Sequence, residues 1–263
     1  MDGKIGSAGW LAVVSRLVSA TEFEDVAKAL IDSTGLIVEN SHMALLVISH
    51  DDPPAVLAHN LAPADERHYL DRYIAGPYLL DPLYQLALKP DKPSRVRYRE
   101  ATPDRFRSSE YYRQYHERTH LEDEVDFFLD VDGRTLVMVV AMLEGKFSRA
   151  DLKRLADAEP LLNAGMKKLW SCQDRSSRPD DTARTMHEHL TACFRDFGKS
   201  TLTQREREIT QLLLRGHSTK SIARELSIAP GTVMVHKRNL FAKLGITSQY
   251  ELFSSFIDTL SAT

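Results

Sequence analysis

Arg238 and Lys237 are the residues of this chain whose chemistry is easiest to specify. A guanidinium offers parallel N–H donors that match guanine O6 and N7, and an ammonium offers a point charge suited to phosphate. Both lie in the stretch APGTVMVHKRNLFAKL, from Ala229 to Leu244. Val233, His236, Leu240 and Leu244 recur there at i, i+3, i+7 and i+11, a mostly apolar stripe that predicts inward packing. Gly231, Met234, Val235 and Arg238 fall at i, i+3, i+4 and i+7 on another face. A helix with one packed face and a second face of short side chains, Val, Met and Arg is shaped for the major groove of DNA.

No other constellation in the chain has a spacing that supports chemistry. The ten histidines are scattered, with no H-E-x-x-H, no Gly-rich phosphate loop and no G-x-S-x-G. His187 and His189 are two apart on a predicted helix and face different ways, a poor metal pair. Glu122-Asp123-Glu124 reads as a solvated turn before a strand. Cys172 and Cys193 make neither a disulfide framework nor a metal spacing, which fits a reducing interior. The expectation is a non-enzyme with no catalytic residues, no metal and no cofactor.

The elements that must position the helix follow from periodicity and punctuation. Ile5–Val18 and Glu22–Ile37 carry helical spacing, and Thr21 with Glu24 reads as a capping box. Met43–Ser49 is an apolar run of strand length, ended by Asp51-Asp52-Pro53-Pro54, and Ala55–Asn60 returns from it. Pro63 opens a helix to about Ala75, Gly76-Pro77 stops it, and Asp81-Pro82 starts another through Leu88. Ser94–Arg99 alternates as a strand does. Ser108 or Ser109 caps a helix bearing Tyr111, Tyr112 and Tyr115. Glu124–Val131 and Arg134–Leu143 are strands joined by Asp132-Gly133, a strong hairpin signal. Ser148 then caps a long helix, Arg149–Trp170. This order predicts an α+β domain over residues 1–170, an antiparallel sheet with helices on both faces.

Residues 171–199 read as a linker carrying an amphipathic helix, 182–197, with Met186, Leu190, Cys193, Phe194 and Phe197 on one stripe. That stripe must pack on a domain or on a second subunit. Residues 200–263 predict an all-α module of four helices. Thr203 and Glu206 form a capping box, Gly216 closes the first helix, and Ser218 caps a short second one. A tight turn leads to Pro230 at the first position of the third helix. Gly245 ends that helix, and Gln249–Leu260 follows. Short helix, tight turn and longer helix make a helix-turn-helix arrangement.

Charge agrees with this division. The chain carries a net −3, yet residues 199–263 hold nine basic against five acidic residues and the rest is correspondingly acidic. A basic piece on an acidic body predicts that the C-terminal part meets a polyanion. No apolar stretch approaches the roughly 20 residues of a membrane span. The start, MDGKIGSAGW, lacks the features of a signal peptide, so a cytoplasmic location is expected.

The C-terminal residues carry a family resemblance. Leu202-Thr203 with Arg205-Glu206-Arg207-Glu208, Gly216 with Ser218, Lys220, Ile222 and Ala223, and then Thr232-Val233, His236, Asn239, Lys243-Leu244-Gly245 and Ser248 resemble the DNA-binding domain of LuxR-type transcription regulators. The resemblance implies double-stranded DNA as partner, in inverted-repeat half-sites bound by a homodimer, with RNA polymerase a further partner to expect. It places Thr232, Met234, Val235 and Arg238 near bases and nearby phosphates, and Lys220 and Lys243 near the backbone. Lys237 joins this set by its place beside Arg238. The chain departs from the family at Ala229, usually Ser, and at Met234, commonly Lys.

For the N-terminal domain, the helix and strand order is similar to the sensor domains of quorum-sensing receptors and to GAF-like domains. A phosphorylation receiver does not fit, because no Asp ends a later strand at the required distance. The quorum-sensing pattern is an aromatic pair one helical turn apart followed by Asp-Pro, and Tyr69, Tyr73 and Asp81-Pro82 match it in part. Those receptors use tryptophans that this chain lacks at the matching places. Tyr69, Tyr73 and Asp81, with Tyr98, Tyr112 and Phe128, are the candidate contacts for an unknown small-molecule effector. Asp81 would suit an amide, amine or hydroxyl donor. The expected function is a ligand-controlled transcription regulator, a quorum-sensing-like orphan receptor. The alternative is a DNA-binding regulator whose N-terminal domain is a ligandless dimerisation or protein-interaction module.

Overall fold

A computed structural model describes residues 6–114, 116–119, 121–173 and 181–261. By contact the chain forms two compact units. The first comprises residues 1–74, 86–101 and 120–180, and the second residues 75–85, 102–119 and 181–263. Tyr115 and most of the 171–181 linker lie outside the described residues.

In the first unit, α1 (Ala8–Ser19) and α2 (Phe23–Ile37) precede β1 (His42–Ile48) and β2 (Ala55–His59). A helical stretch follows, in which α3 (Pro63–Glu66) and α4 (Arg72–Ile74) are joined by a π-turn over Arg67–Asp71. Next come α5 (Pro82–Ala87), which runs from the second unit into the first, then β3 (Arg95–Arg97) and α6 (Tyr98–Ala101). The short α7 (Glu110–Gln114) belongs to the second unit. β4 (Asp123–Val131), β5 (Arg134–Met142) and the long α8 (Arg149–Cys172) complete the first.

The five strands form one antiparallel sheet in the order β2-β1-β5-β4-β3. The β4–β5 hairpin closes through Asp132 and Gly133 at φ 48° and 76°, the left-handed pair that a two-residue turn requires. Strand alternation sends Met43, Leu45, Val125, Phe127, Leu136, Met138 and Val140 into a core with Trp10, Leu30, Leu162 and Met166 of α1, α2 and α8. Gly165 of α8 permits that packing, since a Cβ there would lie 2.6 Å from Leu30 Cδ1. The opposite residues of the strands form a smaller cluster, Ala44 and Leu46 with Leu70, against which Tyr73 and Val139 pack.

Three local expectations are corrected. Thr21 does not cap α2; Glu22 holds the cap position, with no side-chain hydrogen bond. The strand expected over Ser94–Arg99 shortens to three residues, and Tyr98 opens a helical turn with its side chain buried. Glu122-Asp123-Glu124 is no solvated turn: Asp123 and Glu124 are buried, and Asp123 pairs with the Arg97 guanidinium and accepts the Phe147 amide at 3.1 Å. A hydrogen-bonded partner lets both charges survive burial, and it holds the Arg97 pKa above its ordinary value despite desolvation.

The second unit holds α9 (Asp181–Asp196), α10 (Gln204–Leu214), α11 (Thr219–Glu225), α12 (Pro230–Leu244) and α13 (Gln249–Ser261). The stripe of α9 finds its cover here. Phe194 and Phe197 meet the Phe256 ring edge-on at 5.5 and 5.6 Å, and Leu190 is buried. His187 is buried too, its Nδ1 2.7 Å from the Tyr78 hydroxyl. The capping box at α10 forms as expected: Thr203 accepts the Glu206 amide and Glu206 accepts the Thr203 amide.

Candidate nucleic-acid interface

Helix α12 begins without a side-chain cap, since Ala229 has no oxygen to offer, and Pro230 at its first position removes one orphan donor. It ends at Gly245, whose φ of 67° costs a glycine nothing. Its inner stripe is fixed by Val233 and Leu240, both fully buried. That anchoring forces Thr232, Met234, Val235 and Arg238 outward. Met234 is 63% exposed and Val235 47% exposed, and neither serves the core of its own unit. His236 is half-buried.

Met234, Lys237 and Arg238 line one open hollow with Thr219, Lys220, Pro230 and Phe241. Four of the seven residues expected at DNA are thus brought together on α11 and α12. Thr232 and Val235 are exposed on the adjoining strip of α12. Lys237 lies over the Phe241 ring at 5.3 Å, and burial, with Arg105 nearby, holds its pKa below the ordinary lysine value. Lys243 is engaged elsewhere. Its ammonium is 2.7 Å from the carboxylate of Glu206, which is itself buried. Burial alone would raise the Glu206 pKa, but bonds from Lys243 and Thr203 outweigh it and hold it low.

An acidic residue, Asp104, also stands beside Lys220 of this surface, with no motif in the sequence to mark it. Asp104 accepts hydrogen bonds from the Ser218 amide at 3.0 Å and from the Ser218 hydroxyl. Ser218 is the cap of α11, and its own oxygen accepts the Ser221 amide. No motif announces this pairing, because the two residues are far apart in sequence and each reads as an ordinary loop or cap residue.

The residues expected at a small molecule fall in both units. Tyr69 sits in the π-turn, where burial raises its pKa. Tyr73 packs against Ala44, Leu46 and Leu70. Tyr98 is buried at the start of α6. Phe128 is buried on β4, beside Val137 of β5 and out of phase with Phe127 of the main core. These four belong to the first unit, Asp81 and Tyr112 to the second. Asp81 accepts the Leu83 amide at 3.0 Å, a helix-capping bond at the start of α5. Tyr112 stacks on His116, ring centroids 5.2 Å apart. Glu124 and Asp126 alternate with Val125 and Phe127 along β4, so they share the Phe128 side of the strand; both are buried.

Among the described residues no group of three or more His, Cys, Asp or Glu could hold a metal ion, and no helix is long and apolar enough to cross a membrane.

A capped α11, a tight turn and a longer α12 with an outward basic and apolar face define a helix-turn-helix DNA-binding module, attached to an α+β domain. Residues 200–256 match the family model described as bacterial regulatory proteins, luxR family. A putative HTH-type transcriptional regulator in the exeN 3'region of Aeromonas salmonicida is 32% identical over 159 residues, 57% of this chain and 80% of that protein. The monoamine regulon transcriptional regulator of Klebsiella aerogenes is 25% identical over 235 residues, 87% and 88% of the two chains. Among solved structures, the VqsR LBD domain from Pseudomonas aeruginosa superposes with a TM-score of 0.56 at 25% identity, over 64% of this chain and all of that one. The chain belongs to the luxR family of bacterial regulatory proteins, a non-enzymatic family of DNA-binding transcription regulators.

Proposed function

We propose that α12 reads the major groove of operator half-sites and that the α+β domain controls it in response to a small molecule. The observation that carries the DNA reading is the outward exposure of Met234 and Val235 beside Arg238, on a helix whose other face is anchored by the fully buried Val233 and Leu240. In this reading Arg238 takes guanine O6 and N7, Met234 and Val235 touch thymine methyls, Thr232 contacts bases or nearby phosphates, and Lys220 and Lys237 hold the backbone. Lys243 contributes to the backbone field while it is tied to Glu206. The working form is a cytoplasmic homodimer on inverted repeats, with RNA polymerase as a further partner. Lys220→Ala in the full chain should weaken binding to all duplexes alike and lower the salt slope by about 1. An unchanged slope would remove Lys220 from the interface.

The effector would lie in the first unit, near Tyr69, Tyr73, Tyr98 and Phe128. Glu124 and Asp126 beside Phe128 favour a ligand with an amine or other donor end, and the Klebsiella relative's name supports the amine class. Resemblance to the VqsR LBD domain supports the ligand-controlled reading, of which a quorum-sensing-like role is one form. The packed cluster of Ala44, Leu46, Leu70 and Tyr73 favours the rival reading, a filled domain for dimerisation or protein contact. Thermal-shift assay of the full chain with amines and acyl-homoserine lactones separates the two. A ligand at 100 times its Kd adds about 2.7 kcal/mol to stability, and a filled domain shows no shift with any of them.

A further inference from the structure

Residues 102–109 leave the first unit after α6 and pack within the second, against the DNA-binding helices. Their fastening is specific. The Asp104 carboxylate takes both donors of Ser218, at the cap of α11. Phe106 and Ser109 press on Gly216, where a Cβ would lie 3.1 Å from both Phe106 Cα and Ser109 Cβ. Gly216 therefore has two reasons to be glycine, its φ of 88° and a bare backbone that seats this segment.

The location matters for DNA. Asp104 shares an open hollow with Lys220, Arg224 and the turn into α12. Burial would raise its pKa, but the hydroxyl and amide of Ser218 outweigh that and keep it charged. A fixed negative charge thus stands beside Lys220, while Arg105 lies near enough to Lys237 to disfavour its charge. In helix-turn-helix docking the first helix of the motif crosses the phosphate backbone. A carboxylate on that helix's cap opposes a phosphate there by charge and by volume. The fastening is also light. Asp104 is exposed, so its hydrogen bonds compete with water and hold the segment only lightly.

We infer that residues 102–109 form an autoinhibitory latch, bonded at Asp104–Ser218 and seated on Gly216, which must lift before Lys220 and Lys237 can take up the phosphates of a duplex. This rests on the assignment of those lysines to the DNA backbone. The segment runs directly from Tyr98 and α6, so an effector bound near Tyr98 pulls on the latch through the chain itself.

The test uses the full-length protein and a fluorescent duplex of about 30 base pairs of arbitrary sequence, long enough for two half-sites. Affinity is measured by anisotropy for wild type, Asp104→Ala, Lys220→Ala and, as a control for lost negative charge alone, Glu225→Gln. Amide hydrogen exchange of residues 102–109 is followed with and without saturating duplex. Asp104→Ala should tighten binding roughly tenfold, against about twofold for Glu225→Gln. Exchange in 102–109 should rise when duplex is added to wild type. The latch is overturned if Asp104→Ala gains no more than Glu225→Gln, or if duplex leaves 102–109 as protected as before. Failure of the DNA-face reading looks different: Lys220→Ala would then bind as well as wild type.

Discussion

Ala229 and Glu206 carry the clearest single-residue consequences in the DNA-binding module. Ala229 occupies the cap of α12 with no oxygen to accept an orphan amide. Ala229→Ser should stabilise the module by about 1 kcal/mol, seen as a rise of several degrees in its thermal midpoint. Glu206 is a buried carboxylate serving three donors at once, the amide and hydroxyl of Thr203 and the ammonium of Lys243. Glu206→Ala should cost roughly 3 kcal/mol, because it breaks a buried pair and opens the capping box. Its folded pKa is depressed, so its stabilisation is full at neutral pH and fades as pH falls through the folded pKa. In chemical denaturation from pH 7 down to pH 3, the wild type should therefore lose more stability than Glu206→Gln.

Elements differ in how far local sequence settles them. The β4–β5 hairpin is legible because Asp132-Gly133 supplies the positive φ its turn needs, and α10 because Thr203 and Glu206 cap each other across three residues. The Ser94–Arg99 segment misleads because SRVRYR alternates like a strand, while burial of Tyr98 turns the chain after three residues. Neither the Arg97–Asp123 pair nor the contact of Tyr78 with His187 has a local signature, since each joins residues distant in sequence. The exposed strip of α12 was legible from its spacing; Asp104 beside Lys220 was not. The α9–α13 contact belongs to the same class, and Phe256→Ala should cost about 3–5 kcal/mol by removing the ring that Phe194 and Phe197 share. His116, packed against Phe106 and Tyr112, is held by burial, with Arg107 adding to it, at a pKa of about 4. Between its ordinary value of 6.5 and about 4 the unfolded imidazole gains a proton that the folded one refuses. The 102–119 segment should therefore weaken as pH falls through that window, and NMR titration should place the His116 midpoint near 4.

At the scale of the whole molecule, charge separates the two tasks. Residues 199–263 hold nine basic against five acidic residues, on a chain whose net charge is −3. A module with so modest a basic excess should bind weakly alone, and paired half-sites would multiply its phosphate contacts. The chain leaves its first unit twice, at residues 75–85 and 102–119, which belong by contact to the second. The most direct measurement of the central claim is selection of binding sites from a random duplex library with wild type and Arg238→Ala. The account predicts that wild type enriches inverted repeats with a guanine at one fixed half-site position, and that Arg238→Ala loses that guanine at a cost of about 1–3 kcal/mol while keeping the repeat spacing. Identical preferences from the two proteins would contradict it.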